Sequence, residues 1–168
     1  MDVDIKFHSI SNIFSDDERN EFIKKVQPYL IDYTEWNKIS GIRLEGKQTD
    51  SDLYKNKIFS FYYIRFLDAL KKTIGCEFEI EKSWINYHDG KRKELCWHLH
   101  PGCSHVAVYY LKTNRFFNSG TMFKGIGFIK SKQDSLLLFP SHLEHSVPLY
   151  KFGFSRYTLS MNLNIFTK

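Results

Sequence analysis

The sequence predicts a mainly β domain, an antiparallel sandwich or barrel with helices against one outer face. Three observations lead there. Two segments within the first 74 residues carry apolar side chains at helical spacing. After Gly75 the chain breaks into short strand-like runs separated by turns. The last run, residues 156–165, alternates polar and apolar residues without exception, which places one polar and one apolar face on a strand. A length of 168 residues leaves room for one domain, and the 15 Phe and 10 Tyr supply ring surface that suits a pleated sheet.

Ser15-Asp16-Asp17-Glu18 reads as a capping box. Phe22, Ile23, Val26, Tyr29 and Leu30 follow at helical spacing, a helix of about four turns. Residues 41–52 are polar, hold two glycines and read as a loop. Residues 52–74 predict a longer helix through Leu53, Ile58, Phe61, Tyr62, Ile64, Phe66, Leu67, Leu70 and Ile74, stopped by Gly75. Strands are then expected at 78–87, 94–98 (after a turn at His88-Asp89-Gly90), 106–112, 121–124, 126–130, 135–139, 145–150 and 156–166. The chain reads as one domain over 1–168, with 1–76 as helical support and 77–168 as the β core. With the apolar face of the last strand under the helices, its polar face, Arg156 included, lines the inside of a barrel. The alternative is an edge strand with that face in water.

No apolar run reaches the roughly 20 residues of a membrane span. The first ten residues lack the basic and apolar regions of a signal peptide, so the expected location is cytoplasmic. Cys76, Cys96 and Cys103 are an odd set and are expected as free thiols. Charge is uneven: residues 1–84 hold 13 Lys+Arg against 15 Asp+Glu, whereas residues 85–168 hold 11 against 4. A basic second half points to an anionic ligand. Apart from Lys91-Arg92-Lys93 on an expected turn, the basic residues are scattered, which argues against a nucleic-acid partner.

The chemistry concentrates in residues 97–105, where three histidines and a cysteine fall within nine positions. His98 and His100 share a strand face, so two imidazoles can converge on one metal ion. An apolar strand, a turn at Pro140 and His145 can bring a third to the same place, and Arg156 follows eleven residues later. Cys103 and His105 offer an alternative His/Cys zinc site. Cys96 reads as packing, and His8, His88 and His142 as structural or exposed.

This ordered set resembles the 2-oxoglutarate and Fe(II)-dependent oxygenases, whose pattern is His-x-Asp/Glu, a distal His, and an Arg or Lys about ten residues later. A small bacterial and phage branch of that superfamily, with a His-x-His-Pro motif, is similar to Trp84-Ile85-Asn86, His98-Leu99-His100-Pro101, Tyr109-Tyr110, Phe139-Pro140-Ser141, His145 and Arg156 with Asn162-Leu163. The resemblance covers about residues 80–166. It implies a double-stranded β-helix (jelly roll, cupin-like) core and Fe(II) on His98, His100 and His145. It also implies 2-oxoglutarate on Arg156 with help from Tyr110 and Thr158, and a substrate pocket near Trp84, Asn86 and Asn162. Trp84 and Asn86 equally suit a role in closing the barrel. Two positions depart from the family pattern: His100 stands where a carboxylate is usual, and Asp134 where a turn Gly is usual. A three-His cupin-type dioxygenase without 2-oxoglutarate and a non-catalytic jelly-roll binding protein stay open as alternatives. The primary substrate, small molecule or protein, and the oligomeric state are not specified by the sequence.

Overall fold

Ser15 opens the first helix as a capping residue: its hydroxyl accepts from the Glu18 N–H at 3.2 Å, and the Glu18 carboxylate accepts from the Ser15 N–H at 2.7 Å. In this computed structural model, which describes residues 6–32, 46–89, 96–117, 119–148 and 153–166, helix α1 spans Asp16–Val26. It passes into a 3-10 turn at Gln27–Tyr29 that holds Pro28, a residue without an N–H to continue the helix. Helix α2 spans Ser60–Ile74 and closes on Gly75, whose φ of 79° is the left-handed cap that glycine adopts at low cost.

Residues 52–59, expected as the start of α2, form two 3-10 turns instead, Leu53–Lys55 and Lys57–Phe59. Asn56 splits them. Its side chain accepts from the Ile58 N–H at 3.1 Å, a local bond that competes with helix continuation. The buried face of this segment runs through Phe59, Tyr62, Tyr63, Phe66 and Leu70, while Ile58, Phe61 and Ile64 lie more than half exposed.

The strands are β1 His8–Ser11, β2 Ile31–Asp32, β3 Lys47–Gln48, β4 Glu77–His88, β5 His105–Lys112, β6 Thr121–Phe123, β7 Gly127–Ile129, β8 Ser135–Pro140, β9 His145–Ser146 and β10 Arg156–Phe166. They build a main sheet ordered β1-β8-β5-β10-β4-β3-β2 and a small sheet ordered β7-β6-β9. All named pairings are antiparallel. The first 76 residues therefore do more than supply helices: β1 extends one edge of the main sheet, and β2 and β3 extend the other. The expected strand at 94–98 lies partly outside the described residues, as do Gly90 and the Lys91-Arg92-Lys93 turn. His98 is described, and it forms a bridge with His145.

The alternation of β10 sorts its side chains between two cores. Tyr157, Leu159, Met161 and Leu163 join Phe22, Tyr62, Phe66 and Leu70 in one apolar cluster between the helices and the outer face of the main sheet. The inner face carries a second cluster, in which Val106, Val108, Tyr110, Leu137 and Phe139 meet Phe123 and Leu143. Two facing antiparallel sheets with helices behind one of them form the mainly β, jelly-roll architecture that the sequence predicts. No helix among the described residues is long and apolar enough to cross a membrane.

Asp134 ties the helical segment to this frame. It sits at φ 56°, a conformation that Asp tolerates better than most non-glycine residues, in the turn where the resemblance leads one to expect Gly. Its carboxylate accepts from the Tyr109 hydroxyl at 2.6 Å and the Phe14 N–H at 3.1 Å, and lies 3.5 Å from the buried Arg19 guanidinium. Replacing Asp134 with Ala leaves two buried donors without their acceptor, while Arg19 keeps Asp16 and the Phe14 carbonyl, so a loss of about 3 kcal/mol in unfolding free energy is expected. Urea denaturation checks this, and a loss below about 1 kcal/mol would refute the clamp.

Candidate metal centre

His98 and His145 are brought together by their own backbones. The His98 N–H donates to the His145 carbonyl at 3.0 Å, and the His145 N–H donates to the His98 carbonyl at 2.9 Å. This reciprocal pair holds the two rings 4.4 Å apart between centroids. His100, two residues further along, is anchored by its N–H on the Ser141 carbonyl at 3.3 Å, and its ring stacks on Trp84 with 5.5 Å between centroids. One ligand atom from each of the three histidines lies within 4.8 Å of the others. Three imidazoles on one spot form a recognisable first-row metal donor set.

Two of the three rings have their tautomer fixed by neighbours. His98 Nδ1 lies 3.0 Å from the Cys96 carbonyl, and His145 Nδ1 lies 2.9 Å from the Leu143 carbonyl. A carbonyl oxygen can only accept, so each Nδ1 carries the proton and each Nε2 keeps its lone pair for a metal. Burial, with the neighbouring His98 adding to it, pushes His145 down to about 3 and His100 down to about 4. Both rings are therefore neutral near pH 7, the form that binds metal.

The three histidines line a cavity of about 250 Å³ whose wall also includes Trp84, Arg156 and Thr158. Arg156 is 1% exposed, the largest of the fully buried side chains. Its Nη2 donates to the Gly120 carbonyl at 3.1 Å, and its guanidinium lies over the Tyr110 ring, 5.5 Å from the centroid. Tyr110 is fully buried, and its hydroxyl shares a 2.6 Å hydrogen bond with Thr121. It thus supports the Arg156 wall from behind, and Thr121 is the member of the pair that lines the cavity. Asn86 also lines it, with its Nδ2 donating to Ser160 Oγ at 3.2 Å. Asn162 lies outside the lining, buried one step beyond Ser160 along the polar face of β10.

Some wall residues were not singled out from sequence. Ser160 shares the polar face of Arg156 and Thr158, so the alternation of β10 already pointed to it. His88 lines the cavity from the β4 position paired with Arg156. Thr121 and Gln48 come from β6 and β3, strands of three and two residues that carry no readable period. Cys103 and His105 do not join the histidine cluster. Cys103 Sγ donates to the His100 carbonyl at 3.5 Å, and His105 Nδ1 lies 3.0 Å from Ser104 Oγ.

No protein-family model matches this chain, and no curated protein matches it by sequence. By structure it is similar to a viral collagen prolyl hydroxylase from Paramecium Bursaria Chlorella virus-1 in complex with 2-oxoglutarate. The two share 12% identity over 94% of each chain, with a TM-score of 0.62. A Pseudomonas putida prolyl-4-hydroxylase matches at 13% identity over 96% of this chain and 93% of that one, with a TM-score of 0.63. HygX from Streptomyces hygroscopicus, with nickel and 2-oxoglutarate bound, matches at 13% identity over 95% and 83%, with a TM-score of 0.65. The chain shares the jelly-roll fold of these 2-oxoglutarate-dependent oxygenases.

Proposed function

We propose that this chain is a 2-oxoglutarate- and Fe(II)-dependent oxygenase of the hydroxylase type. The observation that carries the reading is the pairing, within one cavity, of three converging imidazoles with a buried arginine. His98, His100 and His145 would hold the metal. Fe(II) suits a nitrogen donor set of this kind, and three neutral ligands leave its charge uncompensated, so an anionic co-ligand is favoured. When bound, the metal supplies oxygen activation coupled to decarboxylation of 2-oxoglutarate to succinate, which gives the oxidising power to hydroxylate a C–H bond.

The protein's part is positioning. Arg156 offers a planar fork of N–H donors to the far carboxylate of 2-oxoglutarate, and Thr158 and Thr121 place hydroxyls in the same wall. Val108 and Val147 line the cavity as apolar surface, which keeps water away and strengthens a charge pair formed there. A volume of about 250 Å³ lies below the roughly 300–1,000 Å³ of ordinary ligand pockets. The co-substrate therefore takes up most of it. A primary substrate then presents one group at the mouth, beside Trp84 and Asn86, where the basic second half of the chain favours an anionic one. We place the protein in the cytoplasm as a single domain.

The test is an anaerobic iron assay followed by succinate measurement with and without 2-oxoglutarate. Stoichiometric Fe(II) with succinate formation that requires both iron and 2-oxoglutarate supports the proposal. Iron without 2-oxoglutarate binding would instead favour a three-His metal dioxygenase. Neither would leave a jelly-roll binding protein.

A further inference from the structure

We propose that Trp84 is a positioning residue for the third metal ligand: its indole face holds the His100 imidazole in place and offsets the positive charge that this ring takes on when it binds the metal. The inference rests on the metal-site reading above and gives Trp84 a role beyond flanking the cavity mouth.

The need for such a residue follows from the other two histidines. His98 and His145 are directed from their own segments, each donating Nδ1–H to the carbonyl two residues earlier, from Cys96 and Leu143. The equivalent carbonyl for His100 is that of His98, and it already accepts the His145 N–H at 2.9 Å. His100 also lies outside any strand and is followed directly by Pro101 and Gly102. Its N–H is held on the Ser141 carbonyl at 3.3 Å, which anchors the chain but leaves the rotation of the ring open.

Trp84 supplies what that segment lacks. It stands within the twelve-residue strand β4, opposite Ser160 of β10. Its neighbours Ser83 and Ile85 are buried on the helix side, Ser83 against the Tyr63 hydroxyl and Ile85 in the outer core. The indole is thereby set on the cavity face of a paired, rigid element. It lies 26° from parallel to the His100 ring with 5.5 Å between centroids, an offset stack. His145 adds a second near-parallel ring, 18° from His100 at 5.1 Å. Three imidazoles bring no negative charge, so the ligand rings take up more of the metal's positive charge than they would beside a carboxylate. A Trp face is the best aromatic partner for such charge. The stack therefore strengthens when metal binds, and a His at the position where a carboxylate is usual comes with its own support.

The experiment uses the full chain and Co(II), a redox-stable probe, titrated calorimetrically. A contact between a cation and an aromatic face corresponds to about a three- to thirtyfold change in affinity. Trp84→Leu is therefore expected to weaken Co(II) by about that range, and Trp84→Phe, which keeps a smaller face, by less. In a His100→Asp background Trp84→Leu should cost less than about threefold, because a carboxylate has no ring to stack. NMR of the metal-free and Zn(II)-loaded protein reads the stack itself: the indole ring current should displace the His100 ring protons upfield in the parent and not in Trp84→Leu. A loss below about threefold in Trp84→Leu, a loss above that in the His100→Asp background, or His100 protons unmoved between parent and variant would overturn the proposal. Should Trp84→Leu fail to fold, fluorinated tryptophan decides, since it drains negative charge from the ring face at nearly unchanged shape. Co(II) affinity should then fall in the parent and hold in Trp84→Phe, and unchanged affinity in the labelled parent would overturn the proposal. A parent that binds Co(II) while Trp84→Leu loses nothing sinks this inference alone. Failure of the parent itself to bind Co(II) would overturn the metal-site reading and this proposal with it.

Discussion

His145→Ala is expected to lose bound Fe(II), with an affinity at least about a hundredfold below that of the parent. The ring is 5% exposed, neutral, and already directed by the Leu143 carbonyl, so little reorganisation is needed for it to bind. Removing it leaves two imidazoles and water, and the lost contribution exceeds the 10–100-fold of a supporting partner because it is the ligand itself. His98→Ala should behave alike, since the reciprocal backbone pair places both rings. His100→Asp should bind as well or better, because a carboxylate returns negative charge to a site of neutral ligands. Iron retained after anaerobic loading and gel filtration is the measurement, with thermal melting as the control for folding. Full metal occupancy in His145→Ala would refute the site.

The fold was legible where the chain is periodic over several residues. β10 carries a strict two-residue alternation, and the structure sorts it into an apolar outer face against the helices and a polar inner face in the cavity. The capping box likewise gave the start of α1 from a local rule that needs no tertiary context. What escaped was set by pairing instead of by pattern. β2 and β3 hold two residues each and exist because β4 offers β3 an edge and β3 offers one to β2. Asn56 breaks the expected long helix through a single side-chain bond, against an apolar pattern that reads as continuous.

The candidate site divides in the same way. The order of His98, His100 and His145 along the chain pointed to their convergence. The strand period expected there is not what joins them: among the described residues His98 makes only an isolated bridge and His100 lies outside any strand. The division of labour around Arg156 did not. Tyr110 and Thr158 look equivalent in sequence, yet Thr158 lines the cavity while Tyr110 lies fully buried beneath the guanidinium and bonds Thr121. Nor does sequence show that His100, in the segment between β4 and β5, stacks on Trp84 of β4.

Arg156→Ala is expected to weaken 2-oxoglutarate binding to the Fe(II)-loaded protein by at least about tenfold while leaving the metal in place. A charge-assisted hydrogen-bonded pair contributes roughly 1.5–3 kcal/mol, and tenfold corresponds to about 1.4 kcal/mol. The geometry favours the upper part of that range, because Arg156 is 1% exposed and its pair would form away from bulk water. The substitution also leaves the Gly120 carbonyl without its 3.1 Å donor, so the melting temperature is followed in parallel to separate local loosening from lost charge. Arg156→Lys should recover part of the affinity: the charge returns, but an ammonium cannot offer the planar fork that meets a carboxylate in two parallel hydrogen bonds. The readout is a titration of the Fe(II) protein with 2-oxoglutarate, followed by the absorption of the chelate. Metal content unchanged with affinity lost assigns Arg156 to the co-substrate. Unchanged affinity in the Ala variant would remove 2-oxoglutarate from this cavity and leave the three histidines as a metal site of a different chemistry.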